Sequence, residues 1–255
     1  MTQDTHSRAL ANRLAPVALV LGIVLTTVAF LLSFLVAPLV LGANVAQTAI
    51  IGGEAISNKL LLSQKIFYIH VPVATVSFGA LAFLAYYSIR YLATKNQARK
   101  PFFDTRARIA AEVGLVFIIM TMLSGDLWTR FEWGVWWVWE PRLTTYLILM
   151  LLMIAYFILR TAIDAPERKA TFAAVFGLIA CVDAGISYLI TRFVPTSIHP
   201  VIFRTDSGLS PSMLVPFLLA LFGMALICFA LYRLRLRQVE LNQRLESLKL
   251  QLEEN

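Results

Sequence analysis

Six long apolar stretches, at residues 16–41, 66–93, 109–127, 143–163, 170–191 and 212–232, divide the chain, and most polar positions gather between them. Each is about 20 residues or longer, enough for a helix rising about 1.5 Å per residue to cross a hydrocarbon core of about 30 Å. With no water in that core, a segment must satisfy its own backbone N–H and C=O groups, so the pattern predicts spanning helices. The first stretch is too long for the h-region of a signal peptide, about 7–15 residues, although small residues follow it in "LGANVAQTA", and it is expected to be retained. The expected fold class is an all-α integral membrane protein, a six-transmembrane-helix bundle. Residues 1–232 would form the membrane domain and residues 233–255 a cytoplasmic tail.

After the sixth stretch the chain turns highly charged, and Leu241, Leu245, Leu248 and Leu252 recur at 4-3-4 spacing. That spacing suits a short amphipathic helix, either a surface or membrane-interface helix or a docking helix for a cytoplasmic partner. Composition agrees with a lipid partner: 59% of residues are hydrophobic and 15% charged, where soluble domains carry about 45–50% and about 25%. The net charge of +7 could suggest nucleic acid, but its placement argues against that partner. With six spans, all but Lys59, Lys65, Arg130, Arg142, Arg192 and Arg204 of the 22 basic residues fall on the side shared by both termini. The positive-inside rule then puts both termini in the cytoplasm.

Two cysteines, Cys181 and Cys228, lie inside the fifth and sixth stretches, and no C-x-x-C-H spacing for covalently attached haem occurs. There is no G-x-x-x-x-G-K-[ST] run, so ATP-driven work is expected from a partner.

All five tryptophans, Trp128, Trp133, Trp136, Trp137 and Trp139, fall within "WTRFEWGVWWVW", in the 128–142 connection between the third and fourth spans. An aromatic belt at the headgroups explains their depth but not their clustering on one side. If the segment coils, Trp133, Trp136 and Trp137 stand at i, i+3 and i+4 on one face, Gly134 leaves the backbone approachable, and Pro141 limits continuation. Such a shelf suits a large planar ligand.

Of three histidines, His6 is in the N-terminal tail, whereas His70 and His199 share the tryptophans' side. Pro200 biases His199 toward extended backbone, and Pro72 is best tolerated if His70 lies at or before the first helical turn. Two neutral imidazoles could serve as the axial ligands of one haem iron; zinc would need further donors. Lys65 and Arg142, on the same side, could pair with haem propionates, or could be charges snorkelling at helix ends.

The stretch "WGVWWVWEPRLT" resembles the W-G-x-W-W-x-W-D-x-R-L-T signature of the haem-handling (WWD-domain) membrane proteins of cytochrome c biogenesis, most closely the CcmC or haem exporter protein C family. "QKIFYIHVP" resembles the family's segment around its first ligand histidine, and "IHP" stands where the second falls. Glu140 replaces the usual Asp, and the aromatics expected before the second histidine are absent from "RFVPTSIHPVIF". The resemblance implies that haem b is held non-covalently at the outer face of the bacterial inner membrane. His70 and His199 would be the iron ligands, with Trp128, Trp133, Trp136, Trp137, Trp139, Glu140, Arg142 and Lys65 around them. It implies a chaperone rather than an enzyme, delivering haem to a CcmE-like periplasmic haem chaperone. Its other implied partners are a CcmA/CcmB-like ABC ATPase and permease and a CcmD-like small subunit. Two alternatives compete. A haem-lyase-type cytochrome c synthase shares a tryptophan motif but is larger and carries additional intramembrane histidines. A solute or proton transporter is suggested by Glu112 and Asp183, because carboxylates within spans are functional candidates. Haem affinity would separate the haem readings from the transporter. For the carboxylates, an interfacial ion pair is expected at Glu112 and a helix-packing hydrogen bond at Asp183.

Overall fold

In the computed structural model, residues 2–37, 48–51, 54–194, 197, 199 and 211–253 are described. Six helices carry the architecture: α1 (Thr2–Leu35), α2 (Asn58–Ala93), α3 (Lys100–Glu132), α4 (Pro141–Ala162), α5 (Pro166–Phe193) and α6 (Pro211–Glu253). All six are long and apolar enough to cross a membrane. Ahead of α2 the strands β1 (Thr48–Ile51) and β2 (Glu54–Ser57) pair antiparallel in a short hairpin that the hydropathy pattern did not announce.

The helix centres match the expected spans, but the ends do not. α2 begins at Asn58 rather than 66, and α3 runs from Lys100 to Glu132 rather than 109–127. Polar residues can extend a helix beyond the lipid, so hydropathy underestimates its length. One consequence corrects an expectation: His70 lies more than three turns inside α2, with Pro72 also within the helix. Likewise α6 continues without a break through residues 232 and 233 to Glu253, so the charged tail prolongs the sixth spanning helix.

Side-chain contacts fix the alternation of the helices. At one end, the Lys65 ammonium of α2 donates to the Ser33 carbonyl near the end of α1, and Phe67 of α2 stacks on Phe217 of α6 at 5.5 Å. At the other, Arg160 of α4 grips Asp104 of α3 bidentately at 2.7 and 2.9 Å, and Arg235 of α6 donates to Glu112 of α3 at 2.6 Å. The C-terminal ends of α1, α3 and α5 therefore share one end of the bundle with the N-terminal ends of α2, α4 and α6. Glu112 also lies 3.6 Å from Arg108, so it is neutralised in an ion-pair network, as its sequence neighbourhood suggested. Asp183 does not make the hydrogen bond expected of it: its buried Oδ2 has no partner among the described residues.

α2 is central, packing along α3 and also touching α5 and α6, while α1 lies along α6 and α4 along α5. Because lipid tails are as apolar as the side chains, such contacts depend on close fit rather than on hydrophobic expulsion. Small residues provide it. Between α1 and α6, a Cβ placed on Gly22 would stand 2.8 Å from the Gly223 carbonyl oxygen. Between α2, α3 and α4, Leu81, Leu84, Ala110, Ala111, Ile118, Leu149 and Met153 are buried together. This tight frame holds fixed the helix ends from which the site is built.

Candidate functional site

A cleft enclosing about 470 Å³, including its open mouth, lies at the tryptophan-bearing end. His70 and Ala74 from α2, Thr121, Met122, Gly125, Asp126, Trp128 and Thr129 from α3, and Leu143 and Tyr146 from α4 contribute to it, together with Trp137, Arg142 and His199. Residues far apart in sequence thus converge on one space: His70, His199, two tryptophans and Arg142.

The tryptophan segment does not coil as expected. α3 ends at Glu132 and is capped by Trp133, whose N–H still reaches the Thr129 carbonyl at 2.8 Å, and Gly134 then adopts φ +78°, a left-handed conformation that glycine takes without a Cβ penalty. Residues 134–140 run irregularly back toward α4. Two contacts tie this return to α3: the buried Thr129 hydroxyl reaches the Trp136 carbonyl at 2.8 Å, and Arg130 donates to the Gly134 carbonyl. The tryptophans therefore divide. Trp128 and Trp137 line the cleft; Trp133 stands edge-on to Trp128 at 5.0 Å, and Trp139 edge-on to Trp137 at 5.5 Å. Trp136 and Trp139 are 60% and 75% exposed, so Trp133, Trp136 and Trp137 do not form a single face. Spacing predicted their proximity, but the glycine turn decided their directions. The Trp137 indole N–H is buried without a partner among the described residues.

Glu140 explains how the next helix begins. It is the N-cap of α4 in extended conformation, and its Oε1 accepts from the Leu143 N–H at 2.7 Å, with Pro141 at the first helical position, where a missing N–H costs nothing. Its other oxygen, Oε2, accepts from the Ser197 hydroxyl at 3.0 Å, and His199 Nδ1 lies 3.7 Å from Oε1. Glu140 is buried and lies behind the cleft lining, bracketing the start of α4 to the connection that carries His199.

The histidines differ in their partners. His70 Nδ1 lies 3.0 Å from Ser124 Oγ of α3. His199 Nδ1 is buried and has no hydrogen-bond partner among the described residues, being too far from Glu140, and its ring lies 6.0 Å from that of Trp128. Burial first, then the positive charge of Arg142, then His70, hold the basicity of His199 down to about 3 from an ordinary 6.5. The ring is therefore neutral at pH 7 and retains a lone pair for a metal. Ile198 and Pro200, which flank it in the "IHP" match, lie outside the described residues.

The two candidate cations also part. Arg142, in the first turn of α4, lines the cleft, and no hydrogen bond or ion pair among the described residues engages its guanidinium. Lys65 does not line the cleft. It is buried, donates to the carbonyls of Ser33 and, at 3.3 Å, Ala37, and lies 5.8 Å from the Phe34 ring. Its charge neutralises the carbonyl end of α1 instead of facing a ligand. Ser124, Thr129, Tyr146 and Ser197 were not singled out by sequence; polar residues scattered through apolar helices and a short connection have no spacing to mark them.

As a receptor for a flat, doubly carboxylated metal macrocycle, the cleft has the appropriate donors. It offers apolar and aromatic walls, two imidazoles, a guanidinium and, without partners among the described residues, the buried nitrogens Trp137 Nε1 and His199 Nδ1. Similarity to known proteins points to the same class of ligand. The sequence profile of the family described as "CcmC: Heme exporter protein C" matches residues 1–251. A heme exporter protein C of Bradyrhizobium diazoefficiens is 32% identical over 188 residues, covering 73% of this chain and 70% of the relative. Those of Rhodobacter capsulatus and Escherichia coli K12 are each 28% identical, over 188 and 177 residues, covering 72% and 69% of this chain and 76% and 70% of the relatives.

Proposed function

Because the chain belongs to the heme exporter protein C family, we propose that it handles haem for cytochrome c biogenesis, binding haem b non-covalently in this cleft. The observation that carries the reading is the convergence of His70, His199 and an unengaged Arg142 on one space walled by Trp128 and Trp137. His70 and His199 are the iron ligands, Arg142 takes a propionate bidentately, and the tryptophans cover the macrocycle. Glu140 contributes indirectly, through Ser197 and the His199 connection. Lys65 is left out of the propionate role because it does not line the cleft and its ammonium is turned to the carbonyls of Ser33 and Ala37.

The basic residues orient the bundle with both termini in the cytoplasm and the cleft at the outer face of the bacterial inner membrane. Held there, haem is handed to a CcmE-like periplasmic haem chaperone. CcmA/CcmB-like ABC components and a CcmD-like subunit are the proposed partners, and ATP is hydrolysed on the partner. The two outward-facing indoles, Trp136 and Trp139, are available to that acceptor.

Two measurements test this. Purified protein titrated with haem should give a Soret band with low-spin features, and Arg142→Ala should retain haem yet load the acceptor chaperone less. A protein with no haem affinity would return the transporter reading, and normal loading by Arg142→Ala would remove the propionate clamp.

A further inference from the structure

The surroundings of the His70 ring constrain which of its nitrogens carries the proton. Nδ1 lies 3.0 Å from Ser124 Oγ. That hydroxyl has one hydrogen, and it also faces two backbone oxygens on its own helix, Met120 O at 2.8 Å and Thr121 O at 3.1 Å. A carbonyl can only accept, so the hydroxyl hydrogen goes to the backbone, in the i−4 bond that serine forms within helices. What Ser124 then presents to the imidazole is a lone pair. The nitrogen facing it must be the donor. Gly125, at the next position, leaves room for the ring, since a Cβ there would lie 3.1 Å from His70 Cε1 and 3.7 Å from Nδ1.

The geometry points to Ser124 as a positioning residue that keeps His70 in the Nδ1–H tautomer, so that Nε2 carries the free lone pair before haem arrives. This rests on His70 being an iron ligand, as proposed above. A neutral imidazole has one bare nitrogen, and a ligand ring whose other N–H is fixed needs no proton shift to bind. The choice of acceptor also matters. A carboxylate at Nδ1 would make the ligand strongly basic and the iron bond strong. A neutral hydroxyl orients the ring with little added basicity, which suits a site that must give its haem away. Ser124 thus sets the direction of the ligand and supports it less strongly than a carboxylate would.

The test uses the full-length protein in lipid nanodiscs with nitrogen-15-labelled histidine. Haem-free, the resonance that disappears in His70→Gly should show a protonated Nδ1 and a bare Nε2. Ser124→Ala should lose this single tautomer, and Ser124→Thr, which keeps the hydroxyl, should restore it. With haem bound, Ser124→Ala should weaken affinity by about tenfold, the low end for an outer-shell partner, and raise the iron's midpoint potential; Ser124→Thr should reverse both changes. A protonated Nε2 in the wild type, or a tautomer and potential unmoved in Ser124→Ala, would overturn the assignment of Ser124 while leaving the haem reading standing. A haem spectrum unchanged in His70→Gly would overturn both.

Discussion

His70 and His199 face one cleft from opposite kinds of scaffold. His70 sits within α2, the central helix, against α3, and its Nδ1 is engaged by Ser124. His199 sits in the connection after α5, where Ser197 is held by Glu140, and its own Nδ1 has no partner among the described residues. One ring is positioned by helix packing; among the described residues the other is approached by Trp128 and by a connection that the Glu140 carboxylate ties to the start of α4. If the cleft holds haem in transit, as proposed, this asymmetry would supply a rigid ligand to receive it in one orientation and a releasable one to let it leave.

The largest break in the comparison comes from removing each ligand in turn. His70→Gly should lower haem affinity beyond the roughly 10–100-fold expected for losing an outer-shell partner, and added imidazole should restore the low-spin spectrum. His199→Gly should cost less affinity and leave a haem still oriented by His70. Equal losses would mean that the scaffolds do not matter, and an unchanged spectrum in His199→Gly would remove it from the site.

Acidification should act on the His199 side. The basicity of His199 is depressed in the folded protein, so the docked ring is stable above its ordinary value of 6.5 and loses stability as pH falls toward about 3. Haem affinity should decline across that window. Replacing Arg142 with Gln removes the second-largest cause of the depression, and His199 should then titrate at a higher pH, as histidine NMR would report. A His199 that protonates at the same pH in both proteins would show that the guanidinium does not act on it.

Glu140 sharpens the comparison further. Asp is one methylene shorter, and it can cap α4 but should not reach Ser197 as well. Glu140→Asp should therefore preserve thermal stability while loosening the His199 side, seen as a partial loss of low-spin character. Glu140→Ala should lose the cap too, about 0.5–2 kcal/mol of stability. Identical spectra for wild type and Glu140→Asp would reduce the residue to a helix cap.

How much of this was legible in the sequence follows from what each signal depends on. Lipid imposes a minimum apolar length, so the six spans could be counted. The start of α2 at Asn58 could not be read, since nothing in hydropathy stops a helix from continuing into water. The residue types that gather at the cleft were legible: clustered tryptophans, two histidines and the arginine that follows the tryptophans. Direction was not. Lys65 and Arg142 looked alike as external cations, yet one turns toward α1 and the other toward the cleft. Ser124 was invisible because its meaning comes from a histidine 54 residues away.

The smallest expected effect divides the tryptophans themselves. Trp137 lines the cleft with its N–H buried, whereas Trp136 is 60% exposed, its ring 5.8 Å from the Arg130 guanidinium. If wall and rim have separate tasks, Trp137→Ala should forfeit about 1 kcal/mol of specific aromatic contact, about fivefold in haem affinity. Trp136→Ala should leave affinity within about twofold, since an exposed cation–π pair contributes only about 0.5–1 kcal/mol and lies outside the cleft. Its cost should appear in transfer, because an indole held out at the bundle's end has contact area to offer an acceptor protein and little to offer the haem. Haem content and acceptor loading, measured separately for the two variants, decide the matter. If Trp136→Ala lowers haem affinity as much as Trp137→Ala, the segment acts as one platform, and the turn at Gly134 does not divide it into wall and rim.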